Sequence, residues 1–300
     1  MWIDKETGRH FFRTKMKGAI SLKPLDNDFS QSHLPFFSVK SGEGREVCRD
    51  VYYWTNQIVN VCFYGESGSR DWVLIDCGMP HSKEKIMEAA EARFGHEGKP
   101  KAILLTHGHF DHVGALQPLL EEWDVPVYAH ELEIPYLNGE KDYPKGDPTA
   151  DGGLVSELSP FYPHHGIDVS ESVRMLPDNG DVPFMPGWKW IHTPGHTPGH
   201  VSFYREADGV LIAGDAFVTV KQESLYRVMV QKKEISGPPR YFTSDWEAAE
   251  ASAGKLAALH PKTAVTGHGE MMEGGELERS LKMLVDRFDD LALPPNRRSH

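Results

Sequence analysis

The chain has 300 residues, of which 39% are hydrophobic and 25% charged, with a formal net charge of −12. That is the composition of a globular protein able to bury a core without disulfide staples, and its acidity speaks against a general nucleic-acid binder, which presents a basic face. Cys48, Cys62 and Cys77 are widely spaced and form no CxxC pair, so neither a disulfide framework nor a thiolate zinc finger is expected.

The opening stretch MWIDKETGRHFFRTKMKGAI is charged throughout and lacks the apolar stretch of roughly 7–15 residues that a signal peptide carries. No segment approaches the ~20 apolar residues of a membrane span. Cytoplasmic residence and no membrane contact are therefore the expectation. Residues 1–50 are polar and turn-rich, and read as an extension laid on a main body spanning 51–292, with 293–300 as a tail.

From Val51 the pattern changes. The runs 57–65 and 71–78, rich in β-branched and aromatic residues and separated by ESGS, predict a hairpin. Residues 82–95 place Ile86, Ala89, Ala90 and Phe94 at helical spacing before a glycine suited to end the helix. KAILLTH (101–107) predicts a buried strand, 114–123 a helix and 126–130 another strand. Residues 131–170 break this rhythm and read as a long loop or cap with one short helix at LVSELSPFY. Loops this long are commonly functional, so the segment is expected to cover a site and to set substrate choice.

Strands are then predicted at 188–195, 200–206 and 209–218. A helix follows at 245–259, capped by Ser244 or Asp245, then a strand and turn at 263–269 and a closing helix at 275–292.

The chemistry is concentrated in THGHFDHVGA (106–115), where His107, His109, Asp111 and His112 crowd into six positions after an apolar strand. Imidazole and carboxylate suit divalent zinc, iron, manganese, cobalt or nickel. Two histidines two apart on an extended segment can share one centre. Four adjacent donors around a single small ion would strain the backbone, which favours two ions side by side. Further donors follow later strands: HTPGHTPGH (192–200), Asp215 in AGDAF and His268 in TGHGE.

HGHFDH, PGHTPGH, GDAF and TGHG, in that order and preceded by LIDCG, resemble the metallo-β-lactamase-fold metallohydrolase superfamily over residues 51–290. The resemblance implies an α/β fold, an αββα sandwich of two mixed β-sheets flanked by helices. It implies His107, His109 and His196 on a first metal, Asp111, His112 and His268 on a second, and Asp215 bridging them. Asp76 and His200 are expected as hydrogen-bonding supports of that site. Phe217, Tyr136 and Tyr162 are candidate walls of a substrate pocket, and Asp111 is the candidate catalytic proton carrier. The cofactors would be two divalent ions, zinc foremost, with iron, manganese, cobalt or nickel as alternatives.

Two ions held together lower the pKa of a shared water and polarise a carbonyl or phosphoryl oxygen. The expected activity is hydrolysis of a small carbonyl ester, thioester or lactone by a metal-bridging hydroxide, with no nucleic-acid partner and a homo-oligomer left open. A phosphodiesterase of the same fold, or an iron-dependent oxidative enzyme resembling a persulfide dioxygenase, is the alternative. The position three residues after Asp215 is Val218, whereas lactonases resembling this layout often carry tyrosine there. That counts against a tyrosine-assisted lactonase mechanism.

Overall fold

The computed structural model describes residues 2–3, 10–11, 40–96, 98–150, 154–220 and 233–298. The first half builds a seven-stranded sheet from β1 (Gly44–Cys48), β2 (Val51–Asn56), β3 (Val59–Tyr64), β4 (Val73–Ile75), β5 (Ile103–Leu104), β6 (Val127–Ala129) and β7 (Val173–Met175), paired in chain order. β1 to β4 run antiparallel to their neighbours, and β4 to β7 run parallel. Helices α1 (Lys83–Phe94), α2 (Phe110–Val113) and α3 (Leu116–Trp123) lie within this half.

The second half builds a five-stranded sheet. β8 (Trp188–His192), β9 (Val201–Arg205) and β10 (Val210–Gly214) pair antiparallel, and β10 runs parallel to β13 (Thr263–Thr266), which carries β14 (Met272–Glu273) at the edge. β11 (Val218–Val220) and β12 (Lys233–Ser236) form a separate pair. The insertion contributes α4 (Ile134–Leu137) and α5 (Leu154–Leu158), and the second half adds α6 (Trp246–Ala257), α7 (Gly274–Asp286) and α8 (Phe288–Leu291).

Strand alternation explains the layering, since successive side chains face opposite sides of a sheet. On the first sheet Val61, Phe63, Leu74 and Ile103 face the helices and pack with Ile86, Phe94, Leu116 and Leu119. Cys62, Val73, Ile75 and Leu104 point the other way, to Trp188, Phe203, Ile212 and Val265 of the second sheet. Leu211, Ala213 and Ala264 turn from that interface toward Trp246, Leu256, Leu277 and Leu281. The order is helix, sheet, sheet, helix: the αββα sandwich of two mixed sheets. No described helix is long and apolar enough to cross a membrane.

Several boundaries differ from the sequence reading. The sheet begins at Gly44, inside the stretch read as an extension, because β1 is a largely exposed polar edge strand without an apolar face. The insertion is helical at its start: Glu131–Glu133 forms a 3₁₀ turn that runs directly into α4. The closing helix breaks at Arg287, whose φ of −135° and ψ of 37° leave the helical region. Asp245 caps α6 by accepting the Ala248 N–H, one of the two residues named for that role.

Candidate metal centre

The strands leading to the cluster end at one rim of the sandwich, the common place for ligands in open α/β sheets. After β5 the chain stays extended through His109 (φ −65°, ψ 151°), then turns into α2. This change of conformation divides the contiguous motif. The extended part places His107 and His109 with His196, from the β8–β9 connection. The helical part places Asp111 and His112 with His268, just past β13. In each triad, one donor atom per residue lies within 4.8 Å of the others.

Asp215, following β10, lies between the triads. Its Oδ2 is 3.4 Å from His196 Nε2, 3.6 Å from His112 Nε2 and 3.3 Å from His268 Nε2. Gly267 permits this approach: a Cβ there would stand 2.1 Å from Asp215 Oδ1 and 2.8 Å from His112 Cε1.

Hydrogen bonds to the far nitrogen fix how four imidazoles are presented. His112 Nδ1 donates to Asp76 Oδ2 (2.8 Å), and His268 Nδ1 donates to the Ile58 carbonyl (2.8 Å). The Thr106 hydroxyl gives its proton to Asp76 and so accepts from His107 Nδ1 (3.1 Å). The Thr243 hydroxyl likewise donates to the Pro239 carbonyl and accepts from His196 Nδ1 (3.1 Å). All four turn Nε2 inward, as metal-ligating histidines do. His109 presents Nδ1 instead, 2.9 Å from His196 Nε2.

Asp76 and His200 both hydrogen-bond to other residues of the cluster. Asp76 Oδ1 also accepts the Thr106 N–H (2.8 Å), so one carboxylate holds both ends of the ligand loop. His200 Nε2 accepts the Asp215 N–H (2.9 Å), which leaves its Nδ1–H for the Thr193 hydroxyl (2.9 Å). His192 stands apart and donates to the Pro198 carbonyl.

The cluster is buried, with no residue more than 8% exposed, so solvent does not satisfy it. His107 Nε2, His112 Nε2 and Asp215 Oδ1 have no hydrogen-bond partner. Such orphaned polar atoms are costly, and cations shared among them would satisfy them. Burial, assisted by neighbouring imidazoles, pushes His107 and His196 well below the usual imidazole range and His109 to about 4, so these three are neutral at pH 7. Burial opposes charge on His268 as well, but Asp215 and Asp111 outweigh it and raise its pKa to about 9; a divalent ion beside those carboxylates would take the place of the Nε2 proton. The residues fit two divalent ions.

The model of the metallo-beta-lactamase superfamily matches residues 54–268. The chain belongs to that superfamily. It is 49% identical over 263 residues, 87% of this chain and 100% of the relative, to the probable metallo-hydrolase YflN of Bacillus subtilis. It is 30% identical over 117 residues, 38% of this chain and 49% of the relative, to the hydroxyacylglutathione hydrolase GloC of Haemophilus influenzae. Among solved structures, a di-iron-bound form of TTHA1623 superposes with a TM-score of 0.50 at 30% identity, covering 74% of this chain and 94% of that one. As a metallo-β-lactamase superfamily member with this donor set, the chain is a metal-dependent hydrolase. The di-iron relative shows that metal identity in the superfamily is not fixed to zinc.

The candidate pocket residues fare unevenly. Phe217 is fully buried against Trp246 and Phe288 in the core under α6 and α7, so it is no pocket wall. A bulge at Gly214 (φ +55°) breaks the strand alternation just before it. Tyr136 stacks on Tyr143 (4.0 Å between centroids), and Tyr143 in turn leans on His109 (4.5 Å), so Tyr136 buttresses the ligand loop from behind. Tyr162 packs with Tyr241, Phe110 and Phe242, and the Phe242 ring lies 4.9 Å from His109. Phe110, Phe242 and Thr243 escaped the sequence reading; PPRYFTSDW offered only an aromatic run.

A fully buried carboxylate also went unread. Glu133, in the insertion, accepts from Gly108 N, Tyr143 Oη, Thr197 Oγ1 and Gly199 N. Side chains of the insertion thus touch the loops that carry His107, His109 and His196.

Proposed function

We propose that this rim is the active centre of a dinuclear hydrolase acting on a small carbonyl ester, thioester or lactone. The observation that carries the reading is the convergence of seven buried donors, three with orphaned atoms, into two triads around Asp215. His107, His109 and His196 would hold one divalent ion, Asp111, His112 and His268 the other, and Asp215 would offset part of the charge of both. Ions held there supply a water of near-neutral pKa and polarise the scissile carbonyl.

The chain's own groups do the rest. Asp111 is the most accessible of the donors, its side chain 11% exposed, and its Oδ2 is 3.3 Å from His268 Nε2. From there it accepts the proton of the attacking water and returns it to the leaving group. Phe110, Tyr162, Tyr241 and Phe242 form an apolar wall beside it that excludes water and favours a substrate with an apolar or planar portion. The hydroxyacylglutathione hydrolase among the relatives supports an acyl substrate. Cytoplasmic residence accords with this reading.

The test is metal content together with a substrate screen. The chain should carry two ions, and esters, thioesters and lactones should be turned over faster than phosphodiesters. A chain saturating at one iron, with oxygen consumption in place of hydrolysis, would refute the proposal. Preferential cleavage of phosphodiesters would refute its substrate class.

A further inference from the structure

We propose that Glu133 is the positioning residue of the first triad, joining the two loops that carry His107, His109 and His196 through one buried carboxylate. This rests on the reading that the cluster holds two ions. Each oxygen serves one loop. Oε2 accepts the Gly108 N–H (2.9 Å) and the Tyr143 hydroxyl, while Oε1 accepts the Thr197 hydroxyl (2.7 Å) and the Gly199 N–H (2.8 Å). Gly108 is the residue between His107 and His109, and Thr197 directly follows His196. A shift of either peptide therefore moves a ligand.

The backbone is shaped for this contact. A Cβ on Gly108 would stand 2.6 Å from Tyr143 Oη, and one on Gly199 would stand 2.7 Å from Glu133 Cγ. Any larger residue would push the carboxylate away. The four partners are all donors, and a carboxylate is the side chain that accepts four hydrogen bonds while donating none. A glutamine would present its NH₂ to one loop, where donor meets donor.

The second triad has other supports. His112 is held by Asp76 and His268 by the Ile58 carbonyl. Loss of Glu133 should accordingly be felt at one ion and spared at the other, whereas general loosening of the fold would weaken both.

The experiment measures zinc affinity by competition with a chromogenic chelator, on the whole chain, in two backgrounds that each leave one triad complete. In His268→Ala, where the first triad is whole, adding Glu133→Gln should weaken zinc binding by about 10–100-fold, the scale of a lost support to a ligand. In His196→Ala, where the second triad is whole, the same change should move the affinity by less than about threefold, well below that scale. Equal losses in both backgrounds, or no loss in either, would overturn the inference. If Glu133→Gln does not fold, Thr197→Val decides: it removes one of the Oε1 donors, and a smaller loss confined to the first triad is expected. Unchanged affinity there would overturn the inference too. A wild-type chain that takes up fewer than two zinc ions defeats the dinuclear reading and this inference with it. Two ions in the wild type with an indifferent Glu133→Gln defeat the inference alone.

Discussion

The two halves of the sandwich deliver their donors in opposite ways. The first half supplies His107, His109, Asp111 and His112 from one short stretch after β5. The second supplies His196, Asp215 and His268 from three separate strand ends. Their supports follow the same division. In the first half Asp76 alone holds Thr106 and His112. In the second, His196 leans on Thr243, the Asp215 backbone on His200 and His268 on the Ile58 carbonyl. A contiguous motif concentrates its dependence on a few acceptors; in the dispersed set each of these three supports serves one ligand, and Glu133 alone reaches from the His196 loop to the first half.

The sharpest way to break this comparison is at Asp111, the one first-half donor given a second task. Asp111→Asn keeps an oxygen donor but removes the charge and nearly all basicity. Turnover should fall by at least ~10²-fold, the scale of a lost general base, while the fold persists. Excess metal should not restore it. Turnover followed against metal concentration checks this, and full rescue would reduce Asp111 to a ligand only.

The supports come next. Asp76→Asn replaces one acceptor oxygen by an NH₂ facing groups that already donate, and should weaken metal affinity about 10–100-fold, with activity recovered by added metal. Thr243→Val releases the His196 Nδ1–H and the Pro239 carbonyl but no other ligand, and its loss should fall at or below the bottom of that range, about tenfold. Metal titrations of the two variants rank them. A larger effect at Thr243 would show that dispersed ligands are not buffered in this way.

The smallest effect lies where the halves meet far from the metals. Arg205, at the end of β9, makes a two-pronged ion pair with Asp50, in the turn before β2 (2.5 and 2.9 Å), and its guanidinium lies 4.8 Å above the Trp188 ring. Burial of Asp50 works against its charge, but Arg205 outweighs it and holds the carboxyl below the usual range. A depressed carboxylate pKa stabilises the fold above the unfolded value of about 4 and stops doing so as pH falls through the folded value. Asp50→Asn should therefore cost about 0.5–1 kcal/mol at pH 7 for this partly exposed pair. The gap to the wild type should close below about pH 4. Denaturant melts at both pH values measure it, and a pH-independent gap would assign the effect to packing.

The sequence disclosed most where chemistry is contiguous. His107 to His112 could be read because their spacing is local, and Asp76 because it ends the strand LID. Donors after later strands became legible only as a recurring pattern. Glu133 could not be read at all: it is one acidic residue in an insertion, and its partners lie 10 to 66 positions away. Phe217 misled because an aromatic beside a ligand looks like a pocket wall until the bulge at Gly214 turns it into the core. The strand Gly44–Cys48 was hidden by its polarity, since an edge strand buries too little to need an apolar face.

The Arg205–Asp50 pair marks a rim with a different freedom from the metal-bearing one. The hairpin Arg205–Val210 and the turn Glu66–Asp71 both open there; Glu206 and Ala207 of the first, and every residue of the second but Ser69, face solvent. Added segments, affinity handles or whole fused modules grafted into these turns meet neither ligand nor brace, and exposed turns of this kind are where chains accept insertion. The same sandwich can thus be lengthened, tethered or immobilised from that side while the chemistry at the opposite edge goes on undisturbed.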